Sequence, residues 1–202
     1  MRQVIGVDFD NTIVSYDRIF HKVALEQGLI PGDLPRSKDR VRNHLRRNGL
    51  EETWIELQGM VYGERMPEAD PFPGAVDFFS RCKTEGLDAR IISHRTRHPF
   101  RGPKHDLHKA ARLWLEQHEF LGLAPERVHF ELTKQEKLDR IAKEKCTHFI
   151  DDLPEIDRAG ILAVFEDIRQ HGFNAIGCQF RQIEGKLWEI KIWPGFASPQ
   201  RR

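Results

Sequence analysis

The sequence has little net charge, few cysteines and no long apolar run, and each shortage excludes a class of protein. Its 32 Lys and Arg residues nearly balance 31 Asp and Glu, so no overall field favours binding to nucleic acid or a membrane. The three cysteines are scattered without paired metal-ligand spacing, which predicts reduced thiols inside a cell and disfavours zinc. No apolar run approaches the roughly 18 to 20 residues of a membrane span. Because a strand pattern begins within three residues of the N-terminus, we expect a soluble, cytoplasmic protein.

What the chain does contain is an alternation of strand and helix patterns. Its 202 residues suffice for one substantial core with a small insertion. The alternation predicts an α/β fold, with a Rossmann-like, doubly wound, mostly parallel sheet and helices on both faces. The pattern is weakest in the last thirty residues, where 186–193 is consistent with a strand or an irregular edge. The strand candidates are the run beginning at Val4, Ala89 to Ile92, Val128 to Phe130, Thr147 to Ile150, and Asn174 to Phe180.

One segment interrupts this alternation. Residues 16–70 have the pattern of two or three helices with no strand between them. We therefore predict an α/β core domain formed by residues 1–15 and 71–202, with 16–70 as an inserted helical cap. Residues 16–70 are called the inserted segment below. Its apolar stripes at helical spacing are Ile19, Phe20, Val23 and Ala24, and then Trp54, Leu57 and Val61.

The most informative residues are two aspartates at the end of the first strand candidate. The run beginning at Val4 ends in Asp8 and Asp10, and Thr12 follows. Since residues two apart in an extended chain point to the same side, the two carboxylates converge. They repel each other and resist desolvation unless a cation or a proton holds them. The pattern predicts a metal site, although Asp-x-Asp pairs also occur as turn caps.

Polar residues follow two further strand candidates. Ser93 comes directly after an apolar pair, and Asp151 with Asp152 follows another. Because functional groups gather at the carboxyl ends of parallel strands, these residues are predicted to join Asp8 and Asp10 in one site. Each has a structural alternative, since Ser93 can satisfy backbone groups at a strand end and Asp152 can cap a helix.

These motifs resemble those of the haloacid dehalogenase-like (HAD) hydrolase superfamily, in its phosphatase type with a small helical cap after the first motif. The aspartate-x-aspartate-x-threonine motif matches Asp8, Asp10 and Thr12, and the serine or threonine of the second motif matches Ser93. The fourth motif matches Asp151 and Asp152. Many members have glycine where this chain has Asn11, which also accepts turn conformations.

The third motif is a lysine at the start of the helix before the fourth, and here two lysines qualify. Thr133-x-x-Glu136 resembles a capping box, which would put Lys134 in the first helical position and Lys137 one turn in. We favour Lys137, because its distance to Asp151 in the sequence resembles that in relatives ending the fourth motif in Ile-Asp-Asp. Lys134 remains the alternative, and whichever lysine is not used is predicted to be solvated surface.

The resemblance implies a role for each residue. Asp8, Asp151 and the backbone carbonyl of Asp10 would hold Mg²⁺, with Asp152 orienting the lysine or a metal-bound water. Asp8 would attack phosphorus to form an aspartyl-phosphate, and Asp10 would act as acid and then base. Ser93 and the lysine would hold phosphoryl oxygens.

The implied substrate is a small phosphorylated metabolite, such as a nucleotide or sugar phosphate. The cationic loop 95–105 follows the second motif, and its arginines suit forked contacts with anions, although a solvated loop is an equal alternative. A phosphotransferase, a nucleic-acid end phosphatase and a catalytically silent binding protein are alternatives, and the oligomeric state stays open. The candidate phosphate-binding or substrate-binding residues are Asn11, Thr12, His94, Arg95, Arg97 and Lys134.

Overall fold

The computed structural model describes residues 4–118, 123–146, 148–151, 180–182 and 188–190. Two short 3-10 helices, Met66–Glu68 and Pro125–Arg127, connect larger elements. Strands and larger helices alternate between residues 70 and 150, whereas three helices follow one another in the inserted segment. In chain order the elements are β1 (Val4–Val7), β2 (Val14–Ser15), α1 (Asp17–Glu26), α2 (Lys38–Arg47), α3 (Glu51–Tyr62), β3 (Asp70–Pro71), α4 (Ala75–Thr84), β4 (Asp88–His94), α5 (Leu107–Gln117), β5 (Val128–Glu131), α6 (Lys134–Lys143), β6 (His148–Ile150), β7 (Phe180–Gln182) and β8 (Trp188–Ile190).

Four parallel strands form the central sheet in the order β5-β4-β1-β6. Val7 of β1 pairs with Ile91 of β4 on one side and with Ile150 of β6 on the other. The order is reached by crossing over from β1 to strands on both of its sides, which is the arrangement of a doubly wound sheet. The predicted α/β fold with a parallel sheet is confirmed. The carboxyl ends of β1, β4 and β6 consequently lie side by side.

Helices cover both faces of this sheet because its strands are apolar on both sides. Ile91 and Ile92 are adjacent in β4 and therefore point to opposite faces. Ile91 belongs to the large core cluster, which includes Trp114 of α5. Ile92 belongs to a smaller cluster with Ile141 of α6 and Phe149 of β6. Helix α6 thus packs on the face opposite α5, which fixes the side from which α6 approaches the strand ends.

The inserted segment packs its helices through the predicted apolar stripes. All seven side chains named above for α1 and α3 are buried, together with Val41 and Leu45 of α2. They belong to the same continuous cluster as Trp114 of the α/β part. The Trp114 indole N–H also donates to the Ala69 carbonyl at 2.8 Å. The division into a core domain and a cap stays a prediction, since one apolar cluster runs through both parts.

The chain enters and leaves the inserted segment at a pair of two-residue strands. Ser15 of β2 faces Asp70 of β3 in an antiparallel register. Beside this pair, the Arg18 guanidinium contacts both Asp70 carboxylate oxygens, at 2.5 and 2.8 Å. Strands of two residues show no periodicity in the sequence, so the pairing was not predicted. It holds the two ends of the inserted segment side by side, a few residues after Asp8 in the chain.

Near the C-terminus, β7 and β8 form an antiparallel pair. β8 lies within 186–193, where the sequence is consistent with a strand, and β7 begins at Phe180, the last residue of the predicted strand at 174–180. Positions 174–179 and Thr147 lie outside the described residues. Within the described part of the chain, no helix has the length and apolarity needed to cross a bilayer.

Candidate active site

Three strand ends bring three of the predicted residues together. Asp8 follows β1, and its backbone N–H donates to the Ile150 carbonyl of β6 at 2.8 Å, so β1 and β6 stay paired up to the site. Ser93 lies in β4, buried, and its hydroxyl donates to Asp8 Oδ1 at 2.9 Å. Asp151 follows β6 directly. The expected meeting of polar residues at one edge of the sheet is therefore present.

Lys137 joins these residues from α6. Its ammonium lies 2.6 Å from Asp8 Oδ1 and 2.7 Å from Asp151 Oδ2. The same ammonium lies over the Phe149 ring, 5.2 Å from its centroid. Lys137 is buried, and it is the lysine of the two candidates that reaches the aspartates.

The start of α6 explains which lysine points inward. Thr133 and Glu136 form the predicted capping box, with the Thr133 hydroxyl accepting from the Glu136 N–H at 3.1 Å. The box fixes the first helical turn and puts Lys134 at its first position, where the side chain is exposed. Lys137 lies three residues further on, about one turn, and faces the sheet.

The pKa values of the ionisable side chains at this edge depend strongly on burial. Asp8 is 5% exposed. Burial raises the pKa of Asp8 to about 7, with the nearby Asp151 carboxylate adding to the rise and the Lys137 ammonium opposing it. Burial lowers the pKa of Lys137, but Asp8 and Asp151 more than offset this effect and leave it above its ordinary value. Lys137 therefore stays charged at neutral pH. Additional positive charge near Asp8 would lower the pKa of Asp8 and favour its carboxylate form.

Asp10 is held by a different pair of residues. Its Oδ1 accepts from Arg95 Nη1 at 2.5 Å and from the Tyr16 hydroxyl at 2.5 Å. Arg95 follows β4 and is 4% exposed, and Tyr16 is also buried. The Arg95 backbone N–H donates to the Glu131 carbonyl at 2.8 Å, which continues the pairing of β4 with β5. The two aspartates of the first motif thus have separate cationic partners.

The turn after β1 presents Asn11 and Thr12. Asn11 has φ of 60°, a left-handed conformation that asparagine tolerates. Its side-chain oxygen accepts from the ammonium of Lys38 in α2 at 3.2 Å. Thr12 is buried inside the turn. A cation of the inserted segment therefore lies over the loop that carries Asp10.

The remaining predicted residues lie further from the aspartates. Arg97 has a side chain that is 60% exposed and pairs with Asp106, the residue that caps α5, at 3.0 Å. His94 is half-buried at the last position of β4, in register with Glu131. Asp152 lies outside the described residues. The roles of these residues stay predictions.

Two site residues were not among the sequence candidates. Tyr16 precedes a helix with an apolar stripe, so its pattern indicates a core aromatic and nothing shows that its hydroxyl meets Asp10. Lys38 is the first residue of α2 and belongs to a basic run at 36–47. Such a run is consistent with a surface over an anionic substrate or with a solvated face, and its sequence favours the solvated face for most of it.

The donor atoms at this edge suit Mg²⁺. Among the described residues, no three His, Cys, Asp or Glu side chains are grouped closely enough to hold a metal ion. The carboxylates of Asp8 and Asp151 nevertheless approach the same ammonium, and Asp8 resists ionisation in its buried position. Oxygen ligands are those that Mg²⁺ prefers, and it commonly keeps several waters, so the two carboxylates are suitable ligands for it.

Solved structures of HAD hydrolases share this architecture. A HAD family hydrolase from Deinococcus radiodurans R1, with bound phosphate and sodium, has a TM-score of 0.50 and 16% sequence identity, covering 87% of this chain and 80% of that one. A haloacid dehalogenase-like family hydrolase from Xanthomonas campestris has a TM-score of 0.48 and 12% identity, covering 92% and 87%. The likeness to the Deinococcus structure shows that the chain has the α/β fold of the HAD hydrolases, so the predicted resemblance is confirmed at the level of the fold. No protein-family model matches the sequence, and comparison with curated proteins finds no relative.

Proposed function

We propose that this protein is a cytoplasmic, Mg²⁺-dependent phosphomonoesterase that hydrolyses a small phosphorylated metabolite through an aspartyl-phosphate on Asp8. The observation that carries the proposal is the contact of Asp8 with both Ser93 and Lys137, at 2.9 and 2.6 Å. A hydroxyl and an ammonium that converge on a nucleophilic carboxylate are also placed to bind the phosphoryl oxygens arriving there. The phosphate in the Deinococcus structure is consistent with this proposal.

Asp8 would attack phosphorus and displace the leaving group. A phosphate monoester dianion repels a carboxylate, so attack requires neutralisation of charge. Lys137 supplies one positive charge, and Mg²⁺, held by Asp8, Asp151 and the Asp10 backbone carbonyl, would supply further charge stabilisation when bound. Ser93 donates a hydrogen bond toward the same position.

Asp10 would move the protons. It would protonate the leaving oxygen in the first displacement and take a proton from water in the second, which releases phosphate from Asp8. The Asp10 carboxyl is partly exposed, at 24% of its side chain, so it is accessible to a leaving group and to water. The inserted segment lies beside it and would limit which leaving groups enter.

The test is release of inorganic phosphate from p-nitrophenyl phosphate and a panel of nucleotide and sugar phosphates, with Mg²⁺ or a chelator. We expect Mg²⁺-dependent release that Asp8→Asn abolishes. Asp139→Asn is the matched control, because Asp139 is an exposed residue of α6. Transfer of phosphate to an added alcohol in place of water would indicate the phosphotransferase alternative. No release by folded protein across the panel would contradict the proposal and favour a binding role.

A further inference from the structure

Arg95 binds groups from both the α/β part and the inserted segment. On the α/β side, Nη1 donates to Asp10 Oδ1 at 2.5 Å and Nε donates to the Leu107 carbonyl at 3.2 Å. On the other side, Nη2 donates to the carbonyl of Tyr62, the last residue of α3, at 2.9 Å. The sulfur of Met66 lies 3.8 Å from Nη2. One buried guanidinium therefore contacts the proposed acid and the end of a helix in the inserted segment.

The guanidinium has five N–H groups, and five protein acceptors surround it. Beyond the four contacts above, Nη1 lies 3.4 Å from the Tyr16 hydroxyl oxygen. All three nitrogens of the guanidinium therefore contact acceptors within the protein. Such a side chain is suited to fixing the positions of its neighbours, because moving one acceptor leaves a buried N–H unsatisfied.

Tyr16 also connects Asp10 to the end of α3. Its hydroxyl donates to Asp10 Oδ1 at 2.5 Å, and its ring packs edge-on against Tyr62 with centroids 4.9 Å apart. The Arg95 guanidinium also lies over the Tyr62 ring, 5.2 Å from the centroid. Both donors that hold Asp10 Oδ1 thus contact Tyr62, so a shift of the end of α3 would disturb both.

Both donors reach the same oxygen of Asp10. Arg95 Nη1 and the Tyr16 hydroxyl each lie 2.5 Å from Oδ1. These two hydrogen bonds orient the carboxyl so that Oδ2 is its oxygen for proton transfer.

We propose that Arg95 is a positioning residue that couples the seating of the inserted segment to the orientation of the Asp10 carboxyl. This inference rests on the proposed function, in which Asp10 is the acid and base. With α3 seated against the guanidinium, Asp10 is held ready to protonate a leaving group. With α3 displaced, Arg95 loses the Tyr62 carbonyl and no longer fixes the carboxyl in one orientation.

The first experiment measures kcat/KM for p-nitrophenyl phosphate and for glycerol 2-phosphate, because kcat/KM reports the displacement in which the leaving group departs. Nitrophenolate is a stable anion that needs little help from an acid, whereas an alkoxide needs a proton. General acid catalysis contributes about 10² to 10⁴ in rate, so we expect Arg95→Lys to lose at least about tenfold more on the alkyl ester than on the aryl ester. Tyr16→Phe is expected to show the same preference to a smaller degree.

Arg112→Lys is the matched control. Arg112 also donates to a backbone carbonyl, that of Val128 at 3.0 Å, and also lies over an aromatic ring, that of Phe130. We expect equal kcat/KM changes on both esters for this variant. Equal losses on both esters in Arg95→Lys would overturn the inference, since a purely structural role does not depend on the leaving group. If Arg95→Lys does not fold, Tyr16→Phe decides by the same comparison.

The second experiment needs no activity. Amide hydrogen exchange is measured for the last turn of α3 and the residues after it, in which Gly63 N–H donates to the Gly59 carbonyl and Arg65 N–H to the Met60 carbonyl. Asp10→Asn weakens the charge that holds Arg95, so faster exchange is expected there and not in α6. Unchanged exchange would overturn the coupling. If the wild-type protein releases no phosphate yet Asp10→Asn accelerates exchange, the proposed function fails while the coupling holds.

Discussion

Lys137 Nζ lies 2.6 Å from Asp8 Oδ1, although the two residues are 129 positions apart in the chain. The contact forms because α6 packs across one face of the sheet and its capping box fixes the first turn. The Lys137 ammonium therefore reaches the edge of the sheet that contains Asp8 from the face covered by α6. This geometry distinguishes Lys137 from its neighbour Lys134.

Lys137→Ala should lower kcat for phosphate release by about 10² to 10³, the loss seen when one preorganised electrostatic group is removed from an active site. Lys134→Ala is the control, because Lys134 is exposed at the first position of the same helix, and it should stay within about twofold of wild type. Steady-state assays with thermal unfolding of both variants check this. A larger loss for Lys134→Ala would transfer the assignment to that lysine.

The edge containing Asp8, Ser93 and Asp151 could be predicted because each residue directly follows, or ends, an apolar strand. Parallel strands end at the same edge, so their order in the chain is enough to bring such residues together. The capping box of Thr133 and Glu136 could be predicted for a similar reason, since it is encoded within four residues.

The Arg95 and Tyr16 contacts with Asp10 could not be predicted from the sequence. They depend on how the inserted segment packs against the strand ends, and no local pattern encodes that packing. A run of cations after a strand does not show which guanidinium is buried, and here Arg95 is buried while Arg97 is exposed. The β2–β3 pairing was also hidden, because two residues are too few to show alternation.

Mg²⁺ should raise the melting temperature of the protein, because a ligand that binds only the native state stabilises it by about 2.7 kcal/mol at a hundredfold excess over Kd. Asp151→Asn should lose most of this shift, since it removes one of the proposed carboxylate ligands. Asp139→Asn, in an exposed part of α6, should keep it. Thermal unfolding with Mg²⁺ and with chelator measures the effect, and an unchanged shift in Asp151→Asn would remove Asp151 from the metal site.

Arg97→Ala should raise KM for the physiological substrate while leaving kcat nearly unchanged, if loop 95–105 binds substrate anions. Its exposed pairing with Asp106 contributes at most about 1 kcal/mol to stability, so the fold should tolerate the change. Arg81→Ala is the control, because Arg81 makes an exposed pair with Glu85 at 3.2 Å within α4, outside this loop. Equal KM values for wild type and Arg97→Ala would show that Arg97 does not bind the substrate and only pairs with Asp106.

Gly6→Ala should destabilise the protein by about 1 to 3 kcal/mol, because it overpacks the sheet. A Cβ at Gly6 would lie 2.5 Å from Cδ2 of Phe149, the ring over which Lys137 lies. Activity should fall with stability, since displacing Phe149 moves the support of Lys137. Gly32→Ala is the control, as a Cβ there meets nothing within 4 Å. Chemical denaturation of both variants measures the difference, and equal midpoints would contradict the close packing at Gly6.

The pairing of Ser15 with Asp70 also bears on how such a protein changes over evolution. Because the two ends of the inserted segment are already adjacent, the entropy of closing it rises only with the logarithm of its length. The segment can therefore change in length at a small cost in chain entropy, as long as it keeps the side chains that pack against Trp114 and the Tyr16 contact with Asp10. Positions of the segment outside these contacts are free to vary without moving the strand that leads to Asp8.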